Sequence, residues 1–343
     1  ISTSTFTWSP IITKCCDFHR VIQDESHLFI NNGPSAKKEC ANAISSSLRW
    51  GVTATPAANS STDLAQQLLF IQGSSSSSDF ISLNEAITRF HYQPAESTFS
   101  RLVNLLQTFM VRHTKSQRLN GSDALSLPPS TTSTIMLKMS RDEDRAFNCI
   151  NSKPSTFLKH CASGAKRFTA ERQFVPRMSH VLRDGEHDNL SEVVSSARGK
   201  KRRHYIPECL TKIMALRKDL VEHRMTDPQL RAVVFTQHLE VHDTCVRGLE
   251  QDGFDVYQFT GSSDSNKRDA AIRNFQNTAS QRPAVFVITL RSGNVGITLT
   301  AASRVYLLEP ALDPAVEVQA AGRIHRLGQD KPCHVVKFAF EKS

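Results

Sequence analysis

The feature that most restricts the fold is an alternation of strand-like and helix-like segments through residues 206–343. Strands are predicted at 232–236, 256–259, 284–289, 304–308 and 334–340, and helices at 208–222, 238–251, 266–276 and 314–324. Strands that alternate with helices require right-handed crossovers, so this region is predicted to be an α/β domain with a mainly parallel sheet. Ligands of such sheets bind beyond the carboxyl ends of the strands, where the short motifs are expected to fall.

The rest of the chain divides into two further regions. Residues 1–115 also alternate strand-like and helix-like pieces. Helical spacing occurs at 64–71 and 101–111, on either side of a low-complexity loop at 73–79. Residues 116–205 are less regular and are assigned to a linker or insertion between domains. The linker ends in the basic run 199–204, which is either a solvated face or a nuclear-import or DNA-facing patch.

Charge and cysteine usage limit the partners and the compartment. The net charge is +9, from 42 Lys and Arg residues against 33 Asp and Glu residues, which suits a polyanionic partner. The eight cysteines are scattered without a CxxC pair, so neither a structural zinc site nor a disulfide framework is predicted. The sequence shows no membrane span and no signal peptide. We expect reduced thiols in a nuclear or cytosolic protein, and a chain that starts inside a longer protein because it lacks an initiator Met.

Two adjacent carboxylates follow the strand-like run 18–23. In the sequence Asp24-Glu25-Ser26-His27 they come directly after the strand. Such a pair suits nucleotide hydrolysis, because one carboxylate organises Mg²⁺ and the other positions or deprotonates the attacking water. A turn or a helix cap is the alternative explanation for the same residues.

Two later motifs carry small hydroxyl residues and paired cations. The segment 49–56, RWGVTATP, runs from a strand-like stretch into a turn that a proline stops. The segment 319–329, QAAGRIHRLGQ, is predicted to lie on a helix that ends at Gly328, with Arg323 and Arg326 on one helix face. Two guanidinium groups presented together stabilise charge on a γ-phosphoryl group. A basic helix end that complements the helix dipole is the alternative.

With these motifs in order, the chain resembles the SWI/SNF-related branch of superfamily-two helicase-like ATPases. HRVIQDESH is similar to the family's motif II, with Ser26 where alanine is usual, and RWGVTATP is similar to motif III, with Ala54 where glycine is frequent. Residues 232–237 are similar to motif IV, 287–310 to motif V, and QAAGRIHRLGQ to motif VI. The form of motif VI favours a DNA translocase over an RNA helicase of the DEAH type. It also favours the branch that includes DNA-damage-tolerance ubiquitin ligases.

The resemblance implies two RecA-like, parallel-sheet lobes of the P-loop NTPase type, with ATP and Mg²⁺ between them and double-stranded DNA or nucleosomes as partners. Residues 1–115 would form part of an incomplete lobe one, and residues 206–343 would form lobe two. Asp24 would coordinate Mg²⁺ through water, and Glu25 would be the catalytic base. The arginine fingers would be Arg323 and Arg326. The residues expected at ATP or in lobe coupling are His27, Thr53, Thr55, Gly296 and Gln319. The residues expected along the DNA backbone are Gln237, Thr260, Gly261, Ser262, Arg291 and Ser292.

Two features of the family are missing from the sequence. The phosphate-binding pattern GxxxxGK[ST] is absent, and the chain is expected to be cut before it, because only 23 residues precede Asp24. A RING zinc module is not expected, because residues 116–205 lack paired Cys or His spacing. The chain is predicted to be part of an ATP-dependent DNA translocase that acts in chromatin remodelling or DNA repair. It is expected to be nuclear and to have a protein complex as a further candidate partner. As an isolated chain it is expected to lack useful ATPase activity. The alternative is a catalytically inactive DNA- or nucleosome-binding scaffold.

Overall fold

The computed structural model describes most of the chain as two compact units, Ile1–Ala124 and Leu125–Ser343, each with its own core. The described residues are 15–29, 36–57, 61–72, 78–115, 117–141, 143–144, 210–261, 263–277, 279, 282–293, 296–311 and 314–341. The basic run 199–204 and residues 73–77 of the low-complexity loop lie outside these ranges. Within them, no helix is both long and apolar enough to cross a bilayer.

The first unit combines a two-stranded parallel sheet with three packed helices. Its elements are β1 (Asp17–Asp24), a 3-10 turn (Ser26–Phe29), α1 (Ala36–Ala43), β2 (Ser45–Val52), α2 (Thr62–Gln72), α3 (Ser78–Tyr92), α4 (Glu96–Phe109), β3 (Arg118–Leu119) and β4 (Ser122–Asp123). Strand β1 pairs in parallel with β2, and β3 pairs with β4 in an antiparallel hairpin. The core lies between α2, α3 and α4 and contains Leu68, Leu83 and Leu102.

The second unit is built on one six-stranded sheet. Its elements are β5 (Ser130–Leu137), α5 (Thr211–Thr226), β6 (Arg231–Thr236), α6 (Leu239–Gln251), β7 (Asp255–Phe259), α7 (Ser265–Gln276), β8 (Ala284–Thr289), α8 (Leu290–Gly293), β9 (Arg304–Leu307), α9 (Pro314–Ala321) and β10 (Cys333–Phe340). The strand order is β5-β10-β9-β6-β8-β7, and every pair is parallel. The predicted parallel α/β class is confirmed.

Successive residues of the central strands pack alternately into two cores on opposite faces of this sheet. In β6, Ala232 and Val234 belong to the core under α5 and α6, whereas Val233 and Phe235 belong to the core under α7 and α9. All six residues of β6 and of β8 are buried. Strands covered on both faces read as continuous apolar runs, which is why these two were recognisable from sequence.

Among the elements that differ from the sequence-based expectation are β5, α3 and α9. Strand β5 is an edge strand of the sheet, although its residues were assigned to the irregular linker 116–205. Its Ser- and Thr-rich sequence is largely exposed and so carries no apolar pattern. Helix α3 was not predicted and begins inside the expected low-complexity loop. Helix α9 ends at Ala321 instead of residue 324.

A buried glutamate joins the start of α5 to a turn far away in sequence. Glu143 is 3% exposed, and its carboxylate accepts hydrogen bonds from the backbone N–H of Ser140 at 2.8 Å and of Thr211 at 3.1 Å. The Thr211 hydroxyl donates to the same carboxylate. A carboxylate at a helix N-terminus satisfies orphan N–H groups and complements the helix dipole. Residues 140–144 and the start of α5 are therefore fixed together.

Replacing Glu143 by alanine is expected to destabilise the second unit by about 2 kcal/mol, because the buried donors at Thr211 and Ser140 lose their acceptor. Urea unfolding followed by circular dichroism measures this. The control, Glu250→Ala on the exposed side of α6, should change stability by less than about 0.5 kcal/mol. Equal effects of the two substitutions would contradict the structural role of Glu143.

A polar cluster at the start of β9 and β10 contains a histidine whose pKa is shifted. Burial, with the positive charges of Arg304 and His223, lowers the pKa of His334 below its ordinary value. The His334 imidazole also shares a 2.8 Å hydrogen bond with the Thr131 hydroxyl. Asp219, which binds Tyr306 and lies 3.6 Å from His223, is the acidic member of the cluster.

The unfolded chain therefore binds a proton at His334 at a higher pH than the folded chain does. As the pH falls below about 6.5, the free energy of unfolding should decrease, whereas above it this histidine contributes no pH dependence. His334→Gln should reduce the loss of stability between pH 7.5 and pH 5.5, as measured by urea unfolding. The exposed His113→Gln serves as the control and should leave that loss unchanged.

Candidate functional site

The two carboxylates of motif II lie where β1 ends. Asp24 is the last residue of β1, and its side chain accepts a 2.9 Å hydrogen bond from the Glu25 N–H. Glu25 has a φ of 48°, in the left-handed region that costs a non-glycine residue roughly 1 kcal/mol or more. This backbone conformation turns the chain from the strand into the 3-10 turn. The Glu25 carboxylate consequently lies beside His27, with Oε2 3.4 Å from Nδ1.

Motif II and motif III meet through His27. Its Nδ1 is 2.7 Å from the Thr53 hydroxyl, and that hydroxyl also accepts a 3.1 Å hydrogen bond from the Thr55 N–H. Because β1 and β2 are parallel and in register, with Asp24 beside Val52, both motifs emerge at the same edge of the small sheet. The structure thus brings four of the predicted residues together. His27, Thr53 and Thr55 are linked by hydrogen bonds, and the Glu25 carboxylate lies within ion-pair distance of His27.

A buried polar pair lies behind this group and was not foreseen as part of the site. Ser26 is fully buried, and Gln67 of α2 is 9% exposed. A Cβ atom on Gly51 would lie 3.2 Å from the Ser26 Oγ and 3.1 Å from the Gln67 Oε1. Among the described residues, neither the Ser26 Oγ nor the Gln67 Nε2 has a hydrogen-bond partner. Only glycine at position 51 lets these two side chains approach β2 so closely.

In the second unit, the predicted DNA-facing residues lie at the carboxyl ends of strands. Glu309, which follows β9 and was not predicted, accepts hydrogen bonds from the Thr236 hydroxyl and the Gln237 N–H, both at 3.0 Å. The Gln237 side-chain amide donates to the Pro310 carbonyl at 2.6 Å. Burial, reinforced by the charge of Glu309, raises the pKa of the nearby Cys245 thiol, which stays neutral. Glu309 therefore fixes the end of β6 to the end of β9.

The turn after β7 and the short helix after β8 approach each other. The Thr260 N–H donates to the Ser263 hydroxyl at 2.9 Å, which tightens the turn. A Cβ on Gly261 would lie 3.7 Å from the Ser292 Oγ, and Ser292 is bonded in turn to the Thr289 hydroxyl at 2.7 Å. Ser262 and the side chain of Arg291 lie outside the described part of the structure.

Motif VI lies on helix α9 only for its first three residues, 319–321, which corrects the sequence-based expectation of a helix up to Gly328. Helix α9 ends at Ala321, and the Arg323 N–H then bonds to the carbonyl three residues back, so the chain tightens into successive turns. Arg323 is 7% exposed, whereas Arg326 is exposed. The two arginines therefore do not share one helix face. Gly328 has a φ of +90°, a conformation that requires glycine at this turn.

Motif VI also lies at the opposite edge of the sheet from the predicted DNA-facing residues. The His325 Nε2 bonds to the Pro128 carbonyl at 2.8 Å, just before β5, and the Gln329 amide donates to the Ala302 carbonyl at 2.7 Å, just before β9. The expectation that all motifs fall at carboxyl ends is wrong for this one. Because α9 follows β9 and leads back to the start of β10, the residues after it emerge at the amino ends.

The two remaining predicted residues are Gln319 and Gly296. Gln319 is half-buried in α9, one turn before Arg323. Gly296 lies in the segment between α8 and β9 and lines an open groove beside α7. Its Cβ position has no heavy atom within 4 Å, so nothing in the described structure requires a glycine there for space. Within the described residues, no group of His, Cys, Asp and Glu side chains is arranged to hold a metal ion.

Ser26→Ala is expected to stabilise the first unit by about 1 kcal/mol, because a buried hydroxyl with no partner among the described residues is removed. Gly51→Ala should destabilise it by about 1–3 kcal/mol through overpacking. Combining the two should recover part of the Gly51→Ala loss, since one of the two crowding atoms is gone.

Urea unfolding followed by tryptophan fluorescence measures these changes, because Trp50 lies on β2 of the first unit. Thr88→Ala on the exposed side of α3 is a control that should have little effect. Strict additivity of the two site substitutions would contradict the contact between Ser26 and the Gly51 position.

Family models and known proteins that match this chain agree with the family that the sequence motifs indicated. The family model of the SNF2-related domain matches residues 9–225, and that of the helicase conserved C-terminal domain matches residues 211–328. Helicase-like transcription factor of Mus musculus is 24% identical over 94% of this chain and 41% of its own length. DNA repair protein RAD5 of Cryptococcus neoformans is 35% identical over 37% of this chain and 11% of its own length. The matched regions cover between 11% and 62% of the relatives' own lengths, so the chain spans only part of each of them.

Among solved structures, the C-terminal part of the Fun30 ATPase domain aligns with 63% of this chain and 87% of that chain, at 17% identity and a TM-score of 0.45.

Proposed function

We propose that this chain, which belongs to the SNF2-related family, supplies part of an ATP-dependent motor that moves along double-stranded DNA. Helicase-like members of this family are ATP-dependent enzymes, and a helicase C-terminal domain is present here. A DNA repair protein among the relatives agrees with the branch that the motif VI sequence favours. The motor would act in chromatin remodelling or DNA repair, in the nucleus and within a protein complex.

The observation that carries the proposal is the position of His27 between Glu25 and Thr53: its Nδ1 lies 3.4 Å from the Glu25 Oε2 and 2.7 Å from the Thr53 hydroxyl. As the catalytic base, Glu25 would accept a proton from the attacking water, and the neighbouring His27 would hold its carboxylate in place. The contact between His27 and Thr53 would make the position of that carboxylate sensitive to motif III. A turn or a helix cap alone gives no reason for this second contact.

Asp24 is the residue proposed to hold Mg²⁺ through water. It is exposed and offers carboxylate oxygens, the donor type that Mg²⁺ prefers, and the magnesium ion would supply charge neutralisation at the ATP phosphates. The residues of motif VI, Arg323 and Arg326, would add positive charge at the γ-phosphoryl group, with Gln319 and Gly296 near the nucleotide. With Arg323 buried in a tight turn and Arg326 exposed, the two would act from different positions rather than as one pair.

DNA is the proposed partner for two reasons. The chain carries a net positive charge, and hydroxyl and amide groups lie together at one edge of the sheet. Residues 145–209 contain 13 Lys and Arg residues against six Asp and Glu residues, so they carry seven of the nine net positive charges of the chain. The proposed backbone contacts are Gln237, Thr260, Gly261, Ser262, Arg291 and Ser292. Contacts of this kind bind phosphates and read no bases, so little sequence preference is expected. Nucleosomal DNA would be bound in the same way.

The second candidate function is a DNA- or nucleosome-binding scaffold without ATPase activity. It is favoured by one sequence observation, the absence of GxxxxGK[ST] from all 343 residues. Without that loop the β- and γ-phosphates lack their usual backbone N–H and lysine contacts. For the same reason we propose that this chain by itself does not hydrolyse ATP at a useful rate.

The purified chain should therefore bind duplex DNA and show no DNA-stimulated ATPase activity in a steady-state phosphate-release assay. Steady turnover would contradict the proposed inactivity of the isolated chain. If the complete transcript encodes a GxxxxGK[ST] loop ahead of residue 1, its product should be an ATPase. Glu25→Gln should then lower its kcat by about 10²–10⁴-fold, because the catalytic base is lost.

The matched control is Glu39→Gln, which makes the same charge change on the exposed side of α1 and should leave kcat unchanged. Equal activity of Glu25→Gln and the unmodified product would refute the role of Glu25. A complete product that lacks the loop, binds DNA and has no ATPase activity would favour the scaffold.

A further inference from the structure

The chain passes from the first unit to the second unit only once, between Ala124 and Leu125. The segment that follows, residues 125–129, ends in two prolines, Pro128 and Pro129, and continues directly into β5. Proline fixes φ near about −65° and keeps the residue before it extended, so a Pro–Pro pair is a stiff connection. A displacement of the first unit would therefore reach the start of β5 with little slack.

Two hydrogen bonds hold this stiff segment to the rest of the second unit. The Cys333 N–H donates to the Pro129 carbonyl at 2.9 Å, next to the first pair of the β5–β10 ladder. The His325 Nε2 lies 2.8 Å from the Pro128 carbonyl. A carbonyl oxygen only accepts hydrogen bonds, so this Nε2 carries the hydrogen and donates. The second bond is not part of a sheet ladder, and it comes from motif VI, 197 residues away in sequence.

His325 lies between the two proposed arginine fingers in sequence. Two residues before it, the Arg323 carbonyl accepts a 2.8 Å hydrogen bond from the Leu299 N–H, which holds that turn to the segment before β9. Directly after it comes Arg326, whose side chain is exposed. The bond from His325 to the Pro128 carbonyl therefore acts on the backbone between the two arginines.

A second histidine at the same edge provides a comparison. The His334 Nδ1 lies 2.8 Å from the Thr131 hydroxyl, so it also contacts the start of β5. His334 belongs to β10 and not to motif VI. If both histidines served only to attach β5, replacing either of them would have the same consequences. If His325 also sets the position of motif VI, the two replacements would differ there.

We propose that His325 is a positioning residue of the motor, which connects the Pro128–Pro129 segment to Arg323 and Arg326. This inference rests on the proposed function, because the arginines act in catalysis only where motif VI meets the γ-phosphoryl group. With the bond in place, the entry to β5 and the backbone of motif VI form one hydrogen-bonded piece. A pull on the segment between the units then shifts the arginines, so the position of the first unit regulates motif VI.

The first measurement uses the 343-residue chain and needs no ATP. Hydrogen–deuterium exchange with mass spectrometry follows peptides that contain Leu299, whose N–H is bonded to the Arg323 carbonyl. His325→Leu should speed their exchange by about five- to tenfold, the effect of one lost hydrogen bond on local opening. His325→Gln should restore the slow exchange, because its side-chain amide can donate from nearly the position of Nε2. His334→Leu is the matched control, because it frees Thr131 on the same strand and should leave Leu299 unchanged.

The second measurement is steady-state, DNA-stimulated ATP hydrolysis by the complete product that carries a GxxxxGK[ST] loop. His325→Leu should lower kcat by about five- to tenfold and leave the KM for ATP within about twofold, because the arginines act mainly on charge in the transition state. His325→Gln should recover most of the loss. Replacing Pro128 and Pro129 by glycine keeps the carbonyls but removes the stiffness, so kcat should also fall. Adding His325→Leu to that variant should cause little further loss, since both changes interrupt one connection.

The outcomes separate this inference from the function on which it rests. Unchanged Leu299 exchange in His325→Leu, or equally fast exchange in His334→Leu, would overturn the link between His325 and motif VI. Faster exchange with an unchanged kcat would make His325 structural only, while the motor stands. An unmodified complete product without ATPase activity would refute the motor and, with it, the catalytic role of His325. The glycine variant retains His325 and tests the same connection if His325→Leu does not fold.

Discussion

Parallel pairing of β6 with β8 and β9 decides where every functional segment of the second unit lies. Because these strands run in one direction, the chain must return across the sheet after each of them, and each return places one loop at the carboxyl edge and one at the amino edge. Gln237 and Thr260 reach the carboxyl edge for this reason, and Arg323 reaches the amino edge. The alternating burial of β6 residues into two cores fixes the register that this arrangement needs.

Hydrogen bonds from polar side chains then hold the loops at the two edges of the sheet in one conformation. Glu309 joins the ends of β6 and β9, Gln329 bonds to the carbonyls of Ala302 and Ile324, and Gln276 joins α7 to the segment before β9. Each is a charged or amide group that satisfies backbone or hydroxyl partners, and Gln329 does so at only 5% exposure. Buried polar groups of this kind are costly when unpaired, so each fixes one loop conformation over its alternatives.

The sequence predicted best the elements whose burial is uniform. Strands 232–236 and 284–289 are apolar throughout and lie in the centre of the sheet. Strand β5 could not be found in this way, because an exposed edge strand has no buried face to impose a pattern. The end of α9 was misplaced because the apolar spacing of motif VI continues beyond Ala321, while the backbone turns there to bond with Leu299. Family resemblance located Glu25, His27 and Gln237. It did not locate Gln67, which lies beside Gly51, or Glu309, which binds Gln237, because both are far from those motifs in sequence and carry no local signal.

The segment from Leu290 to Ala302 connects the two edges of the sheet that the proposed motor would use. Its first part carries Ser292, which lies beside Gly261 among the proposed DNA contacts. Its last part donates the Leu299 N–H to the Arg323 carbonyl at 2.8 Å and offers the Ala302 carbonyl to Gln329. One continuous piece of backbone therefore contacts both the proposed DNA edge and motif VI. A displacement of this segment by DNA bound at the carboxyl edge would act on the same residues that hold Arg323, which would give the proposed motor a physical link between DNA and motif VI.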